Sequence, residues 1–294
     1  MKRYLLGSDF DQTLFQTFQP SPNKLSVPTA YHLALGDILG QKGQFFGKYF
    51  LNHAPGELVA EVFKWYRPPE QLKDDDKAYR SGIEEAYQEL IGSALAFYQR
   101  EGEAIASLIP EGRGGGITWD KDNPLKTITT LLVGKKLHYL MTEVGQKDAE
   151  GNIWPMPCNG AAQFWRTATT LRQEGVPLDI AVISSGHDAF INKTFDVWDL
   201  ERPQVLVTDD DVRPLSELFE PERRYKPGTL PIELAHGKWL IQQGVENPSA
   251  HATKESKRRM MYIGDDIHKD LGMAIYYKVE GYVYPYTSWE AIAN

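Results

Sequence analysis

The chain has 294 residues, 41% hydrophobic and 24% charged, with a formal net charge of −8. That composition is ordinary for a folded globular protein, and the length allows about two domains. The acidic balance disfavours non-specific binding to nucleic acid or to an anionic membrane surface; no run of about eighteen apolar residues is present to span a bilayer; and the single cysteine, Cys158, permits no internal disulfide framework and fits a reducing cytoplasm.

The chain opens with a short apolar run, Tyr4-Leu5-Leu6, which reads as a buried strand. Asp9 and Asp11 follow it at i and i+2, with Thr13 and Leu14 behind them. The same aspartates interrupt what would be the apolar core of a signal peptide after Met1-Lys2-Arg3. Residues 16–27 read as an extended connector containing Pro20 and Pro22. Helices are expected over 28–50, where glycines interrupt, and from Pro55 to the Pro68-Pro69 stop. A stronger one covers Ser81–Arg100, where Ile83, Tyr87, Leu90, Ile91 and Ala94 recur at helical spacing. Residues 71–77 and the glycine-rich run 111–116 read as loops, and a helix follows over about Pro124–Thr142.

The pattern changes at Trp154-Pro155-Met156-Pro157. Strands are expected at Leu178–Ile183, Gln204–Thr208, Met260–Ile263 and Tyr282–Tyr284. Helices alternate with them over 160–174 (with Gly175 as its cap), 188–200, 231–243 and 271–277, and a polar linker covers 246–257. Strand–helix alternation implies right-handed crossovers and a doubly wound parallel α/β sheet. The expected domains are therefore an α/β core of 1–14 and 158–294, and a mainly helical insert of 15–157.

Four pieces carry chemistry, each at an expected strand end or turn. Asp9-x-Asp11-x-Thr13 alone could be a pair of turn or capping aspartates. Ser184-Ser185-Gly186 ends the second strand before a helix; it could be a plain N-cap or an anion site made of a hydroxyl and free N–H groups. Tyr225-Lys226-Pro227-Gly228 places a lysine in a turn, where it would offset repulsion between carboxylates and a phosphate. Gly264-Asp265-Asp266 with Asp270 loads a third strand end with carboxylates. Aspartates gathered there would be costly without a cation, and Mg²⁺ with oxygen ligands is the natural answer.

In this order, Asp9-Phe10-Asp11-Gln12-Thr13, the Ser184 strand end, a lysine, and Gly264-Asp265-Asp266 with Asp270 make the chain resemble the haloacid dehalogenase-like (HAD) superfamily. The resemblance covers the start and about residues 158–285. It implies a Rossmann-like core with a helical C1-type cap inserted after the first strand, and Mg²⁺-dependent hydrolysis of a small-molecule phosphate ester. Asp9 would be the nucleophile, forming an aspartyl-phosphate, and Asp11 the general acid and then base. Thr13, Ser184, Ser185 and Gly186 would bind the phosphoryl group. Mg²⁺ would be held by Asp9, the Asp11 carbonyl and Asp265, with Asp266 and Asp270 in or beside that shell. Asp11 argues against the dehalogenase branch, which typically lacks an acid there.

Two assignments stay open at this point. Lys226 has the family-like Lys-Pro-Gly turn, whereas Lys238 has the more usual spacing to Asp265. Asp265 is preferred to Asp266 as the metal ligand because it follows Gly264. A phosphotransferase or phosphomutase on the same scaffold is the alternative activity, and a non-catalytic phosphate-binding module the alternative class. Neither substrate identity nor oligomeric state is legible.

Overall fold

The computed structural model describes residues 2–47, 55–65, 77–109, 117–284 and Trp289. The loop expected at 111–116 and nearly all of that at 71–77 lie outside the described residues. By its contacts the chain divides into two units, Met1–Lys24 with Glu143–Asn294, and Leu25–Thr142. Segments 15–24 and 143–157, grouped with the insert in the sequence reading, thus fall in the first unit. There Phe15 bridges to Pro157, Trp154 Nε1 donates to Gln19 O at 2.9 Å, and Ser21 Oγ donates to Glu143 Oε2 at 2.6 Å.

Strand β1 is Tyr4–Ser8. The second unit follows as four helices: α1 (Val27–Gly47), α2 (Pro55–Trp65), α3 (Lys77–Ala106) and α4 (Pro124–Glu143). Helix α1 kinks at Gly40, whose φ of 71° lies where glycine carries no Cβ penalty. Helix α3 outruns the expected 81–100 because its flanks contain no proline. Helix α4 comes so close to α3 that a Cβ on Gly134 would stand 2.3 Å from Ile105 Cγ2. Ala34, Ile38, Phe63, Leu90, Ala94 and Leu131 are among its buried apolar residues. Lys136 is buried with them, its ammonium donating to Tyr31 Oη at 3.0 Å and lying 4.1 Å from that ring's centroid.

The first unit continues with α5 (Ala161–Gln173), β2 (Leu178–Ile183), α6 (Asp188–Val197) and β3 (Val205–Val207), then the short turns α7 (Asp209–Val212) and α8 (Pro221–Arg224). Next come α9 (Leu230–Gln242), the turns α10 (Pro248–His251) and α11 (Lys254–Lys257), β4 (Met260–Gly264), α12 (Gly272–Tyr277) and β5 (Glu280–Val283). The linker expected over 246–257 holds two helical turns because Asn247 and Thr253 cap them. The last strand starts two residues before the expected Tyr282, where Glu280 pairs with Met261.

All five strands are parallel, in the order β3-β2-β1-β4-β5. Crossovers run one way from β1 to β3 and the other way from β4 to β5. Their right-handedness puts α5 and α6 on one face and α9 and α12 on the other. Alternating strand residues fill both layers. Leu5, Ile183, Val207 and Tyr262 pack with Trp239 of α9 and Met273 of α12. The strand order reverses between β1 and β4, and a ligand crevice is expected outside the carboxyl ends at such a switch point. Among the described residues no helix is long and apolar enough to cross a membrane.

Candidate active site

The turn after β1 is set by one aromatic residue between two carboxylates. Successive side chains of an extended segment point to opposite sides, so Phe10 faces away from Asp9 and Asp11. Phe10 is fully buried, with ring centroids 5.1 Å from Phe15, 5.8 Å from Phe190 and 6.3 Å from Phe195. That cluster anchors the turn. Asp9 N donates to Ile263 O of β4 at 2.8 Å, and the N–H groups of Leu14 and Phe15 both donate to Phe10 O, at 3.1 and 3.0 Å. Gln12 adopts a left-handed φ of 59°, and its Oε1 accepts from Phe18 N at 2.9 Å, a local bond that helps offset the strain.

The end of β4 and the turn before α9 converge on Asp9. Asp9, Asp265 and Asp270 each offer a carboxylate oxygen within 4.8 Å of the others. Gly264 makes this possible: a Cβ there would stand 2.2 Å from Asp270 Cγ, so any other residue would expel the Asp270 side chain. Asp270 Oδ1 accepts from Tyr262 Oη at 3.0 Å and pairs with Lys226 Nζ at 2.7 Å, while its Oδ2 accepts from Asp266 N at 3.1 Å. Lys226 Nζ also donates to Asp9 Oδ1 at 2.6 Å. Its side chain is only 6% exposed.

The two lysines therefore part company. Lys226 reaches Asp9, whereas Lys238 donates to Leu206 O at 2.6 Å and to Asp211 Oδ1 at 2.9 Å, beside β3. The two aspartates after Gly264 part as well. Asp266 Oδ1 accepts from His268 N and Lys269 N at 2.8 and 2.9 Å and so caps the turn Ile267–Leu271, leaving Asp265 with the acidic cluster. Thr13, expected to touch phosphate, is fully buried and its Oγ1 donates to Asp265 Oδ1 at 3.2 Å. Ser184 is buried at the end of β2 and Ser185 is exposed beyond it. Gly186 N, expected as a free donor, donates to Ser184 Oγ at 2.9 Å. Asp11 is half-buried and accepts from Thr17 Oγ1 at 2.5 Å. Thr17 is fully buried and was invisible in the sequence, where nothing but its spacing from Asp11 could have pointed to it.

The site's electrostatics are those of excess negative charge. Burial pushes the Asp9 carboxyl well above the usual range; Lys226 pulls it back, while Asp270 and Asp11 add to the rise. Burial and then Asp270 also raise Asp265. Burial alone would lower the Lys226 ammonium, but Asp270 and Asp9 together hold it above its ordinary value, so it stays charged. Burial, followed by Asp270, keeps the Tyr262 phenol protonated. One ammonium does not balance Asp9, Asp265 and Asp270. Oxygen donors at this spacing would suit Mg²⁺, a hard cation that takes carboxylate oxygens and keeps several waters. Both oxygens of Asp270 already accept hydrogen bonds, so Asp9 and Asp265 are the more open donors.

Cys158 lies beside this turn with Sγ donating to Gln12 O at 3.3 Å, and burial, followed by Asp265, pushes its thiol up to about 12. It is an inert packing residue, as thiolate chemistry needs the opposite shift.

No family model and no curated protein matches the chain. Solved structures of HAD-superfamily hydrolases do match it, all at low identity. CbbY from Rhodobacter sphaeroides, in complex with phosphate, is 12% identical over 97% of this chain and 87% of its own, with a TM-score of 0.47. A predicted phosphoglycolate phosphatase from Haemophilus somnus is 12% identical over 95% and 84%, with a TM-score of 0.40. L-2-haloacid dehalogenase from Xanthobacter autotrophicus is 11% identical over 99% and 81%, with a TM-score of 0.35. Likenesses this distant include both a phosphatase and a dehalogenase, which leaves the residues around Asp9 as the ground for any reading of function.

Proposed function

We propose that the chain is a HAD-type, Mg²⁺-dependent phosphohydrolase that cleaves a small-molecule phosphomonoester. The observation that carries this is the Lys226 ammonium bound to Asp9 at 2.6 Å and Asp270 at 2.7 Å, at the point where the strand order reverses and Asp265 comes within reach. In this reading an Asp9 carboxylate oxygen attacks phosphorus and the ester P–O bond breaks. The leaving alkoxide takes a proton from the Asp11 carboxyl. Water then attacks the aspartyl-phosphate, giving its proton to Asp11, and inorganic phosphate leaves with Asp9 restored. Lys226 pulls Asp9 toward its ionised form against burial and offsets charge on the phosphoryl oxygens. Ser184 and the Ser185 N–H bind those oxygens, and Thr17 holds Asp11 in place. Asp9, Asp265 and the Asp11 carbonyl would hold Mg²⁺, with Asp270 behind them. When bound, the ion supplies positive charge that favours the carboxylates' ionised forms and the developing phosphoryl charge.

Asp11 supports a phosphatase over a dehalogenase, because an alkoxide leaving group needs a proton and a halide does not. The helical unit inserted between β1 and α5 is read as a cap that excludes water and selects substrate. A cytoplasmic setting belongs to the same reading and rests on the lone, unpaired cysteine.

The test is hydrolysis of p-nitrophenyl phosphate by purified protein with Mg²⁺. Turnover is expected, lost with chelator and with Asp9→Asn. No turnover on this ester or on a broad phosphate-ester panel would overturn the proposal. Phosphate appearing on an added alcohol or sugar instead of in water would mark a phosphotransferase.

A further inference from the structure

A second buried acidic group lies at the end of β3. Asp209 and Asp210 are 1% and 3% exposed. Burying two adjacent carboxylates is costly unless each is paired and hydrogen-bonded, and here both are. Asp209 Oδ2 lies 3.3 Å from Arg213 Nε, and Asp210 Oδ1 lies 3.2 Å from Arg213 Nη2 and 3.2 Å from His187 Nδ1. Capping of α7 accounts for Thr208 and Asp211, which satisfy each other's backbone as a capping box. It does not account for what Asp209 and Asp210 do with their remaining atoms.

Those atoms reach the turn after β2 and the lysine turn that meets Asp9. Asp209 N donates to Gly186 O at 3.0 Å, holding the Ser184–Gly186 turn from behind. Asp209 Oδ1 accepts from Tyr225 Oη at 3.0 Å, and Tyr225 immediately precedes Lys226. Asp210 Oδ2 accepts from Asp188 N at 3.0 Å, at the start of α6. One residue thus fastens the phosphate-binding turn through its backbone and the lysine turn through its side chain.

We infer that Asp209 is a positioning residue that couples the Ser184–Gly186 turn to Lys226 through Tyr225, with Asp210 and Arg213 holding it in place. The kinetic consequence rests on the phosphatase reading; the geometric one does not. The coupling matters because Lys226 must stay within hydrogen-bond distance of Asp9 while Ser184 faces the same phosphoryl group. A displacement of about 1 Å in such a constellation costs up to about 10²-fold in rate.

Tyr225→Phe removes the connecting hydroxyl; Asp209→Ala removes the carboxylate oxygen that accepts from it and leaves the Asp209 N–H in place. With p-nitrophenyl phosphate and Mg²⁺, Tyr225→Phe is expected to lower kcat about tenfold with KM changed less than about twofold. The Asp209→Ala/Tyr225→Phe pair should be no slower than Asp209→Ala alone, because Asp209→Ala already removes the oxygen that accepts from Tyr225 Oη. Wild-type kcat in Tyr225→Phe, or losses that multiply in the double variant, would overturn the inference. A crystal structure of Tyr225→Phe decides it without any turnover: Lys226 Nζ leaving Asp9 supports it, and Lys226 Nζ still about 2.6 Å away overturns it. Wild-type protein inactive on every phosphate ester would sink the phosphatase reading and leave that crystallographic test standing.

Discussion

The ends of β3 and β4 carry runs of consecutive aspartates, Asp209-Asp210-Asp211 and Asp265-Asp266, and each contributes to a cluster of buried or half-buried ionisable groups. Their electrostatics run in opposite directions. At β3, burial would raise Asp210, but the hydrogen bond from His187, the Asp188 N–H and Arg213 together pull it down to about 2. At β4, burial and Asp270 raise Asp265, and burial raises Asp9 against the pull of Lys226. The motif is nearly the same; the supply of cationic partners differs. Arg213 sits three and four residues from its carboxylates and pairs with both locally, donating a hydrogen bond to Asp210. Lys226 is 217 residues from Asp9 and is shared between two carboxylates, with a third close by. A cluster with a guanidinium beside it can act as a brace, and one with excess negative charge attracts a cation.

Breaking the β4 side should show most in catalysis. Asp9→Asn is expected to lower kcat on p-nitrophenyl phosphate by ~10⁴-fold or more, since it removes the nucleophile; steady-state rates with Mg²⁺ measure it. Lys226→Met should cost about 10²–10³-fold, while Lys238→Met, whose native ammonium hydrogen-bonds Leu206 O and Asp211, should change kcat less than about threefold. Equal losses in the two variants would erase the distinction between the lysines.

Breaking the β3 side should show in stability. Arg213→Met leaves Asp209 and Asp210 buried without their guanidinium and is expected to destabilise the fold by about 3–5 kcal/mol in urea unfolding. The pH dependence follows from Asp210. Its folded-state pKa lies below its unfolded value of about 3.9, so its stabilising contribution is complete above about pH 4. That contribution is lost as pH falls through about 2. The loss is about 2–3 kcal/mol at about 1.4 kcal/mol per pH unit, and Asp210→Asn should flatten that part of the acid-unfolding curve.

The smallest effect has the opposite sign. In metal-free protein Asp265→Asn removes one of several repelling carboxylates, so stability should rise by about 1 kcal/mol, about 2–4 °C in Tm. Added Mg²⁺ should stabilise the parent protein and not the variant. A destabilised Asp265→Asn would mean that the β4 cluster, like the β3 one, acts as a brace.

Much of this arrangement could be read from the chain because it is local. Alternating apolar runs predict the strands, and a carboxylate just past a strand in a parallel sheet falls at the ligand edge. Asp9, Asp11, Asp265 and Asp270 are legible as carboxylates beyond strands, and Ser184 as a hydroxyl at a strand end. Element ends were less legible: β5 starts at Glu280 because of its pairing with Met261, not because of its own composition.

What only the tertiary structure decided were the partners. Sequence spacing favoured Lys238 and turn chemistry favoured Lys226; the fold brings Lys226 to Asp9 across the sheet. Thr13 turns to Asp265, and Gly264 leaves the space that Asp270 fills. Asp209 and Asp210, in a three-aspartate run resembling a solvated cap, are buried because Arg213, His187 and Tyr225 meet them there. Periodicity and propensity act over a few residues and so are written in the sequence. Charge compensation depends on which distant groups the sheet order brings within about 3 Å, and no stretch of sequence carries that distance.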